Sequence, residues 1–360
     1  MPELTVLYVT EPGAYVGLKR ERVEVRKGDA ILANPRVDEL ETVALCGMIH
    51  LSPNALFALM TANVDVIYLR RSGTFVGRIS GDASRRVSLR HKQLRLLDDE
   101  TFGVDIARRI VAGKIRNQRT LLMRRPGEGR SDAMARAMVQ MRLCVERLED
   151  AKSVEVIRGH EGAAAAAYFG VFDEMIRAEG ITFPGRVRRP PPDPTNILLS
   201  FGYTLLGKLM HGALEVASLD PYCGTLHAPE DNRPSLALDL IEEFRPTIVD
   251  TLVISVLNRR TIRATDFTPA TDEDAPVEEA WERAEAESNP NAPEPRRKLI
   301  FNREAVKRFL VAYERRLLDR VFYAPQGRQL TYRQVIQEQV YRYSRHIRGE
   351  GTYEPYVMDL

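Results

Sequence analysis

The strongest constraint in this chain is a change of hydrophobic period near Ser88. Upstream, apolar residues come in short runs rich in β-branched and aromatic types, at 5–9, 15–18 and 22–25. Glu11-Pro12-Gly13 and Lys27-Gly28-Asp29 punctuate them as turns. Residues 41–51 read as a further strand region. Ser52-Pro53 then opens a helix over 54–62, with proline in its first turn. Residues 64–69 and 75–79 read as a hairpin across Arg70-Arg71-Ser72-Gly73. A small β unit of this kind has open edges, which suit pairing with another chain.

Downstream of Ser88 the period becomes helical. Val104, Ala107, Ile110, Val111 and Ile115 follow one face of a 3.6-residue repeat. The same pattern predicts helices over 134–148, 154–178, 196–217, 235–244, 303–320 and 331–348. The fold class expected is therefore α+β. A small N-terminal β-rich domain, 1–86, precedes a larger all-α domain, 87–360, which carries an acidic insert at 268–295. No apolar run approaches the roughly 20 residues of a membrane span, so no membrane partner is expected. The first ten residues lack the basic and apolar regions of a secretory leader. The 3 cysteines are Cys46, Cys144 and Cys223; they are too few and too scattered for a disulfide framework or a zinc ribbon. They suit a reducing compartment.

The overall charge of +2 hides an asymmetry. Residues 265–295 hold 10 acidic residues and only Arg283 against them, which leaves the rest of the chain at +11. A basic body of this kind points to a polyanionic partner. The proline-rich stretch 184–194 should be extended, and its Arg186, Arg188 and Arg189 suit a phosphate backbone. Read without a ligand, the same stretch is a plain connector. Trp281, within the insert, is the 1 tryptophan of the chain, a docking anchor or a local hydrophobic contact.

Three places combine unlike residues. In RGHEGAAAAAYF, 158–169, Glu161 lies in an alanine-rich helix. A carboxylate there either faces solvent, the reading its own context favours, or is buried and needs a cation. In NILLSFGYTLLGKL, 196–209, Asn196, Ser200 and Tyr203 recur at helical spacing and share a face, with Lys208 further along. Such a stripe lines a site or serves only as a buried network that fixes packing. In LHAPEDNRPSLALDLIEEFRP, 226–246, His227 ends a turn-rich loop and Ser235 is placed to cap the next helix. Asp239 and Glu242 stand three apart on that helix, and Arg245 continues their line. A histidine beside two aligned acids is a mixed nitrogen and oxygen set that suits magnesium or manganese, and Glu161 would add a third donor. Without a metal the same group is a packing network.

Taken in order, these three blocks resemble the CRISPR-associated endonuclease/integrase of spacer acquisition, the "Cas one" family. The resemblance covers nearly the whole chain, and the motif RPSLALDLIEEFRP carries most of its specificity. It implies a DNA endonuclease and integrase dependent on Mg²⁺ or Mn²⁺, in the cytoplasm of a prokaryote. It makes 1–86 the dimerisation domain of a homodimer and 87–360 the catalytic domain. It implies double-stranded DNA, as prespacer and CRISPR repeat, and a small "Cas two" dimer as partners; a "Cas four" nuclease stays open. The family's metal ligands fall on Glu161, His227 and Glu242. Asp239 matches an acidic position one turn earlier, and Arg245 a basic position near the phosphate. The insert 268–295 departs from the family pattern.

The chemistry fits these residues. Insertion needs a 3′-hydroxyl to attack a phosphodiester, which a metal assists by polarising the phosphoryl oxygen. One phosphodiester replaces another, so no covalent protein intermediate and no nucleotide are required. The sequence leaves two alternatives open: a metal-dependent DNA nuclease without integration, and a non-catalytic DNA-binding scaffold.

Overall fold

A computed structural model of the chain describes residues 5–69, 75–81, 86–124, 131–187, 191–228, 230–269 and 299–359. Arg188, Arg189, Trp281 and nearly all of the insert 268–295 lie outside them, as does the link 70–73. The chain forms two compact units. One comprises Met1–Ala83, Val187–Ile197 and Ile262–Val311; the other comprises Ser84–Arg186, Leu198–Thr261 and Ala312–Leu360.

The first unit is built on two four-stranded sheets. In one, β1 (Thr5–Val9), β5 (Leu40–Cys46) and β7 (Asp65–Leu69) run parallel, and β8 (Phe75–Ile79) closes a hairpin antiparallel to β7. In the other, β2 (Tyr15–Lys19), β3 (Arg22–Lys27) and β4 (Ala30–Ala33) form a meander, and β6 (His50–Leu51) joins β2 in parallel. The 41–51 strand region is thus two strands, because Gly47 turns with φ +92° and its N–H donates to Leu69 O at 2.8 Å. Val16, Val23, Val43, Leu45, Leu59 and Val66 fill one shared core. Burial of each such side chain contributes about 1.5–3 kcal/mol. Helix α1 (Pro53–Thr61) starts where Ser52 Oγ accepts the Ala55 N–H at 3.2 Å.

The second unit is mostly helical, so the α+β class holds. Helix α2 (Val87–Leu97) leads into α3 (Glu100–Met123), the centre of the unit. Helix α3 is capped by Asp99 and packs against α4 (Asp132–Leu148) and α5 (Val154–Phe169). The predicted helix 154–178 ends at Phe169, and a short 3₁₀ turn, Phe172–Met175, follows Gly170. Helix α6 (Pro194–Val216) comes next. The predicted helix 235–244 is also shorter. It ends as α7 (Ser235–Leu240), and after a turn the backbone winds as a π-helix over Arg245–Asp250, where Pro246 lacks the N–H an α-helix would use. Two short hairpins lie within the stretch read as all-helical: Phe267–Pro269 with Leu299–Phe301, which belongs to the first unit, and Arg320–Tyr323 with Arg328–Thr331, which belongs to the second. The predicted helix 303–320 stops at Leu318 and 331–348 is Tyr332–Arg348.

Helix α6 is long and apolar enough to cross a membrane, against the sequence expectation that no run comes near that length. More than half of it is buried within the fold, as in the core helix of a folded protein. The C-terminal residues are strapped onto α3. Asn117 accepts the Met358 N–H at 2.9 Å and donates to Tyr356 O at 2.8 Å. A Cβ at Gly113 would meet Pro355 at 2.5 Å, so glycine lets the strap lie flat.

Candidate metal centre

Asp239 is the anchor of the site. It is fully buried on α7, and its carboxylate faces the loop that carries His227. Oδ2 accepts the N–H groups of Thr225 and Leu226 at 2.7 and 2.9 Å; Oδ1 accepts that of His227 at 2.9 Å. Oδ1 also meets His227 Nδ1 at 2.6 Å. That contact assigns the ring proton to Nδ1 and leaves the Nε2 lone pair available as a ligand. Gly224 is required for the close approach, since a Cβ there would lie 2.5 Å from the Ser235 carbonyl carbon. Ser235 does not cap α7; its hydroxyl accepts the Gly224 N–H at 3.0 Å and donates to Tyr222 O. Arg158, on α5, donates to Leu226 O at 2.6 Å and ties the same loop to the helix of Glu161.

Glu242 lies in the turn after α7 and is 1% exposed. Its Oε1 is 3.9 Å from His227 Nε2 and 3.2 Å from an Arg245 nitrogen. Its Oε2 is 2.7 Å from Lys114 Nζ. Lys114 also meets Glu161 Oε1 at 2.5 Å, so one buried ammonium joins the two glutamates. Glu161 is therefore half-buried with a cation rather than solvated, as its alanine-rich context alone suggested. Burial would push the Glu242 carboxyl up, but the charges beside it, Arg245 and Lys114 foremost, outweigh it and hold it down at about 2.

The donor set fits a hard divalent cation. Glu242 is a buried, ionised carboxylate whose two oxygens have ion pairs but receive no hydrogen bond of good geometry. An imidazole with a tethered Nδ1 and a second carboxylate stand beside it, the oxygen and nitrogen mixture that Mg²⁺ or Mn²⁺ accepts. Among the described residues no three acidic, histidine or cysteine groups form a ready-made metal cluster. The Lys114 ammonium stands between two of the three donors.

Tyr203, on α6, borders the same site. Arg245 stacks over its ring at 4.6 Å and Arg186 at 5.5 Å. Its hydroxyl donates to Asp250 Oδ1 at 2.5 Å, and Tyr168 donates to Oδ2 at 2.9 Å. Burial pushes the Asp250 carboxyl up to about 6, although both phenols and the two arginines oppose it. Ser200 Oγ accepts from Arg186 at 3.0 Å. Asn196 serves the preceding loop, accepting the Val187 N–H at 2.9 Å and donating to Asp193 Oδ2 at 2.6 Å. Lys208 is half-buried further along α6. Arg188 and Arg189 are outside the described residues.

Sequence reasoning missed Lys114 and Asp250. Lys114 follows Ala107 by seven residues and so falls on the buried stripe of α3, a position where a charge needs a partner. That was the available signal. Asp250 had none, since its phenolic partners come from two other helices.

A β-rich unit and a mostly helical unit, with Glu161, His227 and Glu242 gathered around a buried lysine, define an α+β protein of two units. Comparison narrows it. The family model for "CRISPR associated protein Cas1" matches residues 7–280, and the chain belongs to the Cas1 family. It is 34% identical over 356 residues to a CRISPR-associated endonuclease Cas1 of Thermus thermophilus, covering 98% of this chain and 97% of that one. It is also 34% identical to a CRISPR-associated exonuclease Cas4/endonuclease Cas1 fusion of Rhodospirillum rubrum, covering 96% of this chain and 56% of the fusion. Its fold is similar to a chain of a Cas6-RT-Cas1–Cas2 complex, with TM-score 0.80 and 22% identity, covering 100% of this chain and 37% of that one.

Proposed function

We propose that this chain is a metal-dependent DNA endonuclease/integrase that inserts new spacer DNA into a CRISPR array, a 3′-hydroxyl attacking a phosphodiester. The observation that carries the reading is the ionised, buried Glu242 beside His227, whose Nδ1 is held by Asp239. Glu161, His227 and Glu242 would hold Mg²⁺ or Mn²⁺. Once bound, the cation supplies Lewis-acid polarisation of the scissile phosphoryl oxygen. Asp239 keeps the imidazole in the ligating tautomer. Arg245 and Arg186, on the Tyr203 ring, offer guanidinium donors to the phosphate oxygens as charge develops on them. Tyr203 is occupied with Asp250 and acts as a platform, not a nucleophile.

The basic body binds duplex DNA through phosphate contacts. A homodimer built through the β unit, a Cas2 dimer and a Cas4 nuclease are the partners of this reading. The fusion with Cas4 and the complex with Cas2 among similar proteins support the last two. A strand-transfer assay with a short duplex and a supercoiled repeat-containing target tests it. Integration supports the reading, cleavage alone indicates a nuclease without integration, and neither indicates a scaffold.

A further inference from the structure

Lys114 stands where the metal reading leaves least room for it. Its side chain is 6% exposed, and its Nζ lies 2.5 Å from Glu161 and 2.7 Å from Glu242, two of the three proposed ligands. The ammonium is therefore a resident cation in the ligand set.

We propose that Lys114 makes metal loading conditional on DNA: it neutralises Glu161 and Glu242 in the free protein and yields them to a divalent cation when a DNA phosphate offers its ammonium another anion. The proposal rests on the metal reading above. Charge supplies the argument. Glu161, Glu242 and Asp239 face Lys114 and Arg245, a net of −1 with His227 neutral. A divalent cation entering alone turns this to +1 in a buried site and sets itself against two fixed cations. A phosphodiester entering with it restores neutrality. Metal and DNA must then favour one another's binding, and by linkage the favour is reciprocal. A lysine suits the role better than arginine, because its compact ammonium on a flexible stem can move from one anion to another.

The test is Mn²⁺ affinity, read by calorimetry on the full chain with and without a short duplex. In wild type the duplex should tighten Mn²⁺ binding roughly 5–150-fold, the ordinary range of coupling between sites. Lys114→Met should bind Mn²⁺ more tightly than wild type without DNA, and the duplex should then add little. Equal or weaker Mn²⁺ binding by Lys114→Met overturns the proposal and makes the lysine a packing contact. If this variant folds only with Mn²⁺ present, the ion has replaced the ammonium and the proposal stands. If it does not fold at all, the wild type decides, and a duplex that leaves Mn²⁺ affinity unchanged overturns the proposal. Glu161→Gln and Glu242→Gln separate the two layers: if both bind Mn²⁺ as wild type does, the metal reading fails and this proposal with it.

Discussion

Asp239 holds His227 at two points, accepting its backbone N–H at 2.9 Å and meeting its Nδ1 at 2.6 Å from the same oxygen. One buried carboxylate thus sets both the loop and the tautomer. Asp239→Asn keeps the shape but loses the charge and an acceptor site. Mn²⁺ affinity and strand transfer should each fall by about 10–100-fold, as with other partners of metal-bound histidines. Wild-type values in both measurements would remove Asp239 from this role.

Glu161→Ala, His227→Ala and Glu242→Ala should each abolish strand transfer while the protein stays folded by circular dichroism. Two remaining donors cannot hold a hard cation against water. Near-normal integration by all three variants in Mg²⁺ or Mn²⁺ would refute the ligand assignment.

Asp250 gives stability a pH dependence. Its folded value is raised from 3.8 to about 6, so the folded state holds a proton that the unfolded state has released. Its contribution is fully present below pH 3.8 and is lost as pH rises through about 6. The size is on the order of 3 kcal/mol, at 1.36 kcal/mol per pH unit. Urea unfolding at pH 4 and pH 7 should show a smaller difference in Asp250→Asn than in wild type. An equal difference in both proteins would contradict the burial argument.

DNA affinity should fall steeply with salt. Replacing Arg186, Arg188 and Arg189 together should flatten that dependence by about 0.9 in log–log slope for each phosphate left without its arginine. Arg186→Ala alone should also slow strand transfer, because Arg186 reaches Ser200 and shares the Tyr203 ring with Arg245, the partner of Glu242. An unchanged slope in a filter-binding titration would make 184–194 a connector only.

The acidic stretch 268–295 cannot lie favourably along phosphate. Its replacement by a short Gly/Ser linker should tighten nonspecific DNA binding at low salt, where the Debye length is roughly 30 Å at 0.01 M. Weaker recovery of the partner complex is the other expected outcome, if Trp281 anchors a docking contact. No change in either measurement would make the segment a tolerated insertion.

The order of the two architectures was legible because hydrophobic period is a local property. Short β-branched and aromatic runs before residue 79 and the 3.6-residue repeat beyond Ser88 each need only near neighbours along the chain. The same holds for Asp239, Glu242 and Arg245, which share one line by helical spacing, although the backbone leaves the α-helix between them and becomes a π-helix at Arg245. The shortened helices escaped because apolar spacing continues past their ends, where the chain tightens into a 3₁₀ turn at Phe172 or winds as a π-helix at Arg245, a change of hydrogen bonding that periodicity does not encode.

What tertiary structure alone decided is the pairing of charges. Glu161 meets a cation 47 positions earlier in the chain, and the same cation meets Glu242. Neither partner is visible from the alanine-rich context of Glu161, which by itself favours solvent. Likewise Asp239 looked like a second acid on a helix face, and packing made it the clamp of a loop twelve residues away. Burial is a property of the whole fold. Once water is excluded, each charge must find its opposite, and only the assembled helices determine which one is within reach.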